Sequence, residues 1–282
     1  MAALEECNQL ENNANSIYII RNGAWHMNGE LYQICSIAVA AKNALKNKRD
    51  IMYTPMKYEN KTEFKFCKKN SFFLKRYTAK NVSAWFNYCV KKGLQDIKLL
   101  IPVEIKRRGL LGFSNAIYNS LLCFYENKLF YFTPQWDFDS HKEAWNICYH
   151  EYLWENPPDG KPQFSDNSEE LADILNKIKN FAIEIEFPGF AVVFQKACDI
   201  LNGVCDFKNI DNYGTPLLEL PEKNLRIFKA AEVADVFGAM GSWNDSPPYY
   251  AHEKGLGKEY EELSAELSRQ VRLAILYAIN EV

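Results

Sequence analysis

The feature that most narrows the fold lies near the end of the chain, in Phe237-Gly-Ala-Met-Gly-Ser-Trp-Asn-Asp-Ser-Pro-Pro-Tyr-Tyr250. Two glycines and two prolines in so short a span suit neither a helix nor a strand interior, so these residues form a shaped loop. A helical pattern follows from Leu256 to Val282. Tyr260, Leu263, Leu267, Val271, Ala274 and Ala278 share one face, and Leu273, Leu276 and Ile279 widen it. Glu259, Glu261 and Glu262 stand early and Arg269 and Arg272 late, as the helix dipole favours. The loop therefore reads first as a joint that delivers a long core helix. Ser246-Pro247 supplies an N-cap with proline at N1 for a short helical turn ending near Gly255.

Upstream, the apolar spacing of Leu31, Ile34, Cys35, Ala38, Ala41 and Leu45 predicts a first long helix over 29–47. Ser16 to Arg21, followed by Asn22-Gly23, reads as a short strand and turn. Residues 50–77 turn extended, with strand candidates at 51–57, 63–67 and 71–77. Thr78 is placed to cap a helix through Val82, Trp85, Phe86 and Cys89 to Gly93, and 96–103 reads as the next strand. The clearest hairpin joins 116–124 to 128–133 through Tyr125-Glu-Asn.

After Pro134 the pattern predicts helices. Ser140-His-Lys-Glu143 matches a capping box ahead of Ala144, Trp145, Cys148 and Tyr152, and Asp166-Asn-Ser-Glu169 matches a second ahead of Leu171, Leu175, Ile178 and Phe181. The Pro-rich 155–165 is an exposed loop or linker, Pro188 opens a further helix, and 202–224 reads as loop. The expected class is α+β, with a mixed or antiparallel sheet in the N-terminal half packed with helices and a mainly helical C-terminal half. The 282 residues suit a single domain over 1–282, with a division into 1–155 and 156–282 as the alternative.

Charge is unevenly spread. Residues 42–108 hold 18 Lys and Arg against five Asp and Glu, which leaves 15 against 31 in the rest of a chain of net charge −3. Two parts of one fold attracting each other account for this, as does an anionic partner for the basic part. Lys68, Lys69, Lys75 and Arg76, interleaved with aromatics and joined by Lys106, Arg107 and Arg108, are the polyanion-binding candidates.

Asp137, Asp139 and His141 alternate in a way that would converge on a divalent metal in an extended segment, but turn and helix-start roles account for the same residues. No metal or other cofactor is therefore expected. Trp243, Asn244 and Asp245 are candidate ligand-binding residues, with Asp245 and His252 as the catalytic candidates if the protein is an enzyme.

Signatures of several catalytic classes are missing: Gly241-Ser-Trp-Asn is no nucleophile elbow, and Gly238-Ala-Met-Gly241 has neither phosphate-loop spacing. Cys148 and His150, two apart on the expected helix, would point to different faces. The eight cysteines form no C-x-x-C pair and read as buried thiols, and the acidic N-terminus lacks an export signal, which together imply a reducing cytoplasm without membrane insertion. The leading functional expectation is a non-catalytic cytoplasmic protein that binds another protein, in the manner of immunity or antitoxin proteins. A hydrolase using the Asp245/His252 loop and a nucleic-acid or other polyanion binder are the alternatives.

Overall fold

A computed structural model describes residues 27–67, 77–205, 218–238 and 240–282. The proposed strand at 16–21, the strand at 71–77 and the middle of the 202–224 loop fall outside them. Its elements are α1 (Gly29–Asn47), β1 (Glu59–Lys65), β2 (Thr78–Ala79), α2 (Val82–Lys91), β3 (Asp96–Leu100), a 3-10 turn (Arg108–Gly112), β4 (Ser120–Tyr125), β5 (Lys128–Asp139) and β6 (Ala144–Trp154). Five helices follow: α3 (Ser168–Glu184), α4 (Pro188–Leu201), α5 (Glu222–Ala234), α6 (Pro247–Glu253) and α7 (Gly257–Asn280).

The fold is α+β. One six-stranded sheet has the order β2-β1-β6-β5-β4-β3; β1 runs parallel to β6 and every other pair is antiparallel. The inward face alternates as a half-buried strand must, placing Ile97, Leu99, Leu121, Phe132, Ile147 and Tyr149 in one core. There Phe64 stacks between Trp85 and Tyr149, with ring centroids 4.6 and 4.7 Å apart. Helix α1 packs on β3 and β4, α2 on β1, and α7 on α1, α3, α5 and the β3 edge. Among the described residues no helix is long and apolar enough to cross a membrane.

The segment 144–152 is a strand, not the helix that Ser140 and Glu143 suggest. Asp139 Oδ1 accepts the backbone N–H groups of His141 and Lys142, closing a turn, and Glu143 takes a left-handed φ of 48°. The chain then returns along β5 in register from Asp139↔Ala144 to Leu129↔Trp154. Burial of Ile147, Tyr149 and Glu151 follows a period of two, and a helix would break two ladders at once. Cys148 and His150 consequently lie on the same face of β6, contrary to the helical expectation.

Smaller differences have equally local causes. Thr78 pairs with Lys65 in the sheet, and Asn81 is the cap of α2, accepting from Ala84 N at 2.7 Å. Helix α3 starts at Ser168, inside the second capping box, where Asp166 Oδ1 accepts the N–H of Ser168 at 2.9 Å. Residues 51–56 belong to no strand, and the strand predicted over 96–103 ends at Leu100, ahead of Pro102.

Candidate functional site: an aromatic cleft at the start of α1

The site is built outward from Asn28. Its side-chain oxygen accepts the N–H of Glu30 at 2.8 Å, capping α1, while its amide donates to Leu111 O at 2.7 Å and ties the helix start to the 3-10 turn. Glu30, in the first turn, is only 8% exposed and accepts the Asn115 N–H at 3.1 Å. Asn115 sits in the left-handed region, with φ at 60°, which Asn tolerates better than most residues. From there its amide donates to Trp136 O and accepts from Trp136 N, both at 2.8 Å, as a neighbouring strand would. β5 runs past the end of its pairing with β4, so this amide satisfies backbone groups that β4 leaves open.

Three aromatic side chains stand around this start. Trp136 meets Trp145 edge-on at 5.8 Å and Tyr58 at 6.1 Å. Tyr58 is held by its hydroxyl to Gly29 O at 3.0 Å and by its own carbonyl, which accepts the Trp145 N–H at 2.8 Å. Phe237 and Gly238, at the beginning of the C-terminal loop, close the far side. The result is an open cleft of about 410 Å³, whose lining includes Glu30, Tyr58, Trp136, Trp145 and Phe237. That volume is within the range of small-ligand sites. Trp136 is buried, and among the described residues its Nε1–H has no hydrogen-bond partner.

Behind the cleft, Glu30 also lines a void of about 10 Å³, together with Asn119, Asp235 and Arg272. A space of that size holds about one water. Burial pushes the Asp235 carboxyl up to about 6, against the pull of Arg272. Arg272 is itself buried and donates to Pro102 O at 3.2 Å. Burial also raises the Glu30 pKa, more than the Asn115 N–H and the Ser114 side chain lower it. Asn119 is buried with its side-chain oxygen unpartnered. The two carboxylates thus differ in access: Glu30 faces the open cleft and Asp235 only the void behind it.

The residues singled out from the sequence lie elsewhere or play other parts. Trp243 is fully buried, its Nε1 donating to Ser264 Oγ at 2.8 Å and its carbonyl accepting from Tyr260 at 2.6 Å. Asp245 accepts the Gly241 N–H at 2.7 Å, Asn244 stays within the loop through Ser242 and Gly238, and the exposed His252 reaches only Glu253, at 3.9 Å. These contacts close a loop; they bring no Asp245–His252 pair together. Asp137 lies opposite Asn146, Asp139 makes the turn and His141 is exposed. Among the described residues no group of three or more His, Cys, Asp or Glu side chains is placed to hold a metal ion.

Lys106 and Arg107 are exposed, and Arg108 is paired with Glu261. Lys68, Lys69, Lys75 and Arg76 lie outside the described residues. The cleft residues had weaker sequence signals. Asn28 followed by Glu30 is a helix-start pattern, and Arg272 stands inside an apolar stripe rather than answering the dipole at the surface. Trp136 and Trp145 come together only once 140–152 is read as a turn and a strand.

Fold and site define an α+β protein with one mixed sheet and an aromatic, acidic cleft at the start of its first described helix. Compared with models of protein families, with curated proteins and with solved structures, the chain matches none.

Proposed function

We propose that the protein acts by binding, without chemistry of its own, and that the cleft at the start of α1 is its working surface. The observation that carries this reading is the pairing of a roughly 410 Å³ aromatic cleft with Glu30, the one charged residue of its lining among the described residues. A pair of carboxylates within reach of one substrate would suit general acid–base work, but Asp235, the second carboxylate, lines only a void of about 10 Å³. Aromatic walls set on hydrogen-bonded elements are what a preorganised binding site needs.

The occupant we propose is part of another protein, met in the cytoplasm, so that the chain neutralises or holds its partner as immunity and antitoxin proteins do. Free thiols suit a reducing compartment, and Cys35, Cys67, Cys89, Cys123, Cys148 and Cys198 are free. Nothing in the geometry of Asp245 and His252 favours a hydrolase, and Arg108, already paired, adds nothing to polyanion binding.

Affinity capture from the native cell, followed by mass spectrometry, tests this with the wild-type chain and Trp145→Leu side by side. Trp145 is half-buried, so its loss alters the cleft more than the core. A protein retained by the wild type and lost by the variant is the expected result. Equal retention by both would move binding away from the cleft, and no retained protein would remove the reading.

A further inference from the structure

The chemistry of the occupant can be taken further, resting on the binding reading above. Glu30 is the charged member of the cleft lining, and no basic side chain is among the groups that set its protonation. Its neighbours there are Tyr58, Trp136 and Trp145, whose ring faces carry negative quadrupole charge. Burial raises the Glu30 pKa more than the Asn115 N–H and the Ser114 side chain lower it, so the carboxylate stays short of compensation. Carboxylate and ring faces both ask for a positively charged donor.

One group asks for the opposite. The indole N–H of Trp136, buried and unpartnered, needs an acceptor, which a bare ammonium cannot provide. We propose that the cleft receives an organic cation carried beside a carbonyl, as a Lys or Arg side chain is carried on a polypeptide. The cation lies against Trp145 and Tyr58 and reaches Glu30, and the neighbouring carbonyl accepts from Trp136 Nε1. Charge complementarity, rather than apolar area, selects this occupant over an uncharged apolar segment.

Three probes separate the outcomes, read through the indole N–H signals of ¹⁵N-labelled protein. Acetyl-Gly-Arg-Gly-amide should bind saturably. The citrulline analogue, neutral and nearly isosteric, should bind about tenfold more weakly, the scale of a cation–aromatic contact with a partly desolvated partner. Tetramethylammonium chloride, lacking the carbonyl, should also bind more weakly than the arginine peptide.

Glu30→Gln keeps an acceptor for Asn115 and should erase most of the arginine–citrulline difference. Trp145→Leu, which spares the buried contacts of Glu30, should reduce it as well and serves if Glu30→Gln fails to fold. Equal affinity for arginine and citrulline, or no binding of the arginine peptide, overturns the proposal. Tetramethylammonium binding as tightly as the peptide would make a free ammonium the occupant and overturn the polypeptide source. A protein captured through the cleft without arginine–citrulline discrimination would keep the binding reading and remove only the cation.

Discussion

Trp243 illustrates how one residue's setting decides between structure and function. In the sequence it stands beside Asn244 and Asp245, the composition of a ligand-binding loop. In the structure it packs edge-on against Phe190 and Phe194 and stacks with Tyr260, with both of its polar groups paired inside the core. Trp243→Ala should therefore cost about 3–5 kcal/mol, the range for a large buried aromatic. Ser264→Ala, which strands the indole N–H, should cost about 1–3 kcal/mol. His252→Ala should stay within about 0.5 kcal/mol, because the ring is solvated. Urea unfolding of the three variants checks this order, and a large effect at His252 would contradict it.

Asp235 supplies a pH dependence at the same scale. Its pKa is raised from 3.8 to about 6 because burial penalises the charged form more than Arg272 favours it. A folded-state pKa above the unfolded one means that the fold prefers the neutral carboxyl. The stability tied to that preference is fully present below about pH 3.8 and is lost as the pH rises through about 6. A shift of about two units corresponds to about 3 kcal/mol. Asp235→Asn keeps a neutral side chain at every pH, so it should gain about 2–3 kcal/mol on the wild type between pH 4.5 and 7.5. At pH 4.5 Asp235 is itself mostly neutral, so Arg272 loses no anion there, and its attraction for the charged form at pH 7.5 is already contained in the folded value of about 6. Unfolding free energies at the two pH values provide the check; parallel curves would mean that the fold does not raise the Asp235 pKa.

At the scale of elements, what the sequence revealed depended on whether the local pattern and the tertiary pairing agreed. Helix α1, the hairpin of β4 and β5, α4 and α7 all carry a periodicity their environment reinforces, and each stands where the pattern predicts. β6 is where they disagree: Ser140 and Glu143 mimic a capping box, while two neighbouring strands offer their ladders to the same residues. The cleft was hidden by that reading, since Trp136 and Trp145 approach each other only across the β5–β6 pair. Its acidic member was hidden for another reason. Glu30 in a first helical turn looks like an ordinary dipole partner, and only the packing of 114–115 against it reveals its burial.

Edge strands add a second device that no local pattern announces. Leu99, on the outer strand β3, gives its N–H to Asn280 Oδ1 at 2.8 Å, and Asn280 Nδ2 returns a bond to Leu99 O at 2.9 Å. One side-chain amide thus does for β3 what Asn115 does for β5, and it covers an edge that would otherwise invite another strand. Asn280→Ala leaves both Leu99 groups unpaired in a buried setting, at about 1–3 kcal/mol each. The expected outcome is a loss of about 2–6 kcal/mol for the two groups together, with faster hydrogen exchange at the Leu99 amide. An unchanged exchange rate would mean that α7 shields the edge by packing alone.

For the whole molecule, the uneven charge and the candidate division near residue 155 bear on the same question. The basic stretch meets the acidic remainder through Arg49–Glu219, Lys98–Glu281 and Arg108–Glu261, ion pairs that join the two halves of the chain. Such pairs contribute little stability when exposed, so they orient more than they hold. Holding falls to a core that runs from Met27 to Ile279 without a break between the halves. Without α7, Ile97, Leu99 and the edge groups of β3 would lose their cover; without the sheet, the buried stripe of α7 would lose much of its own. We therefore expect one cooperative thermal transition for the intact chain, with calorimetric and van't Hoff enthalpies in agreement. Fragments 1–155 and 156–282, prepared separately, should show no cooperative unfolding, because each exposes one side of that shared core. Two transitions in the intact chain, each reproduced by one fragment, would instead establish two domains that fold independently and merely attract each other.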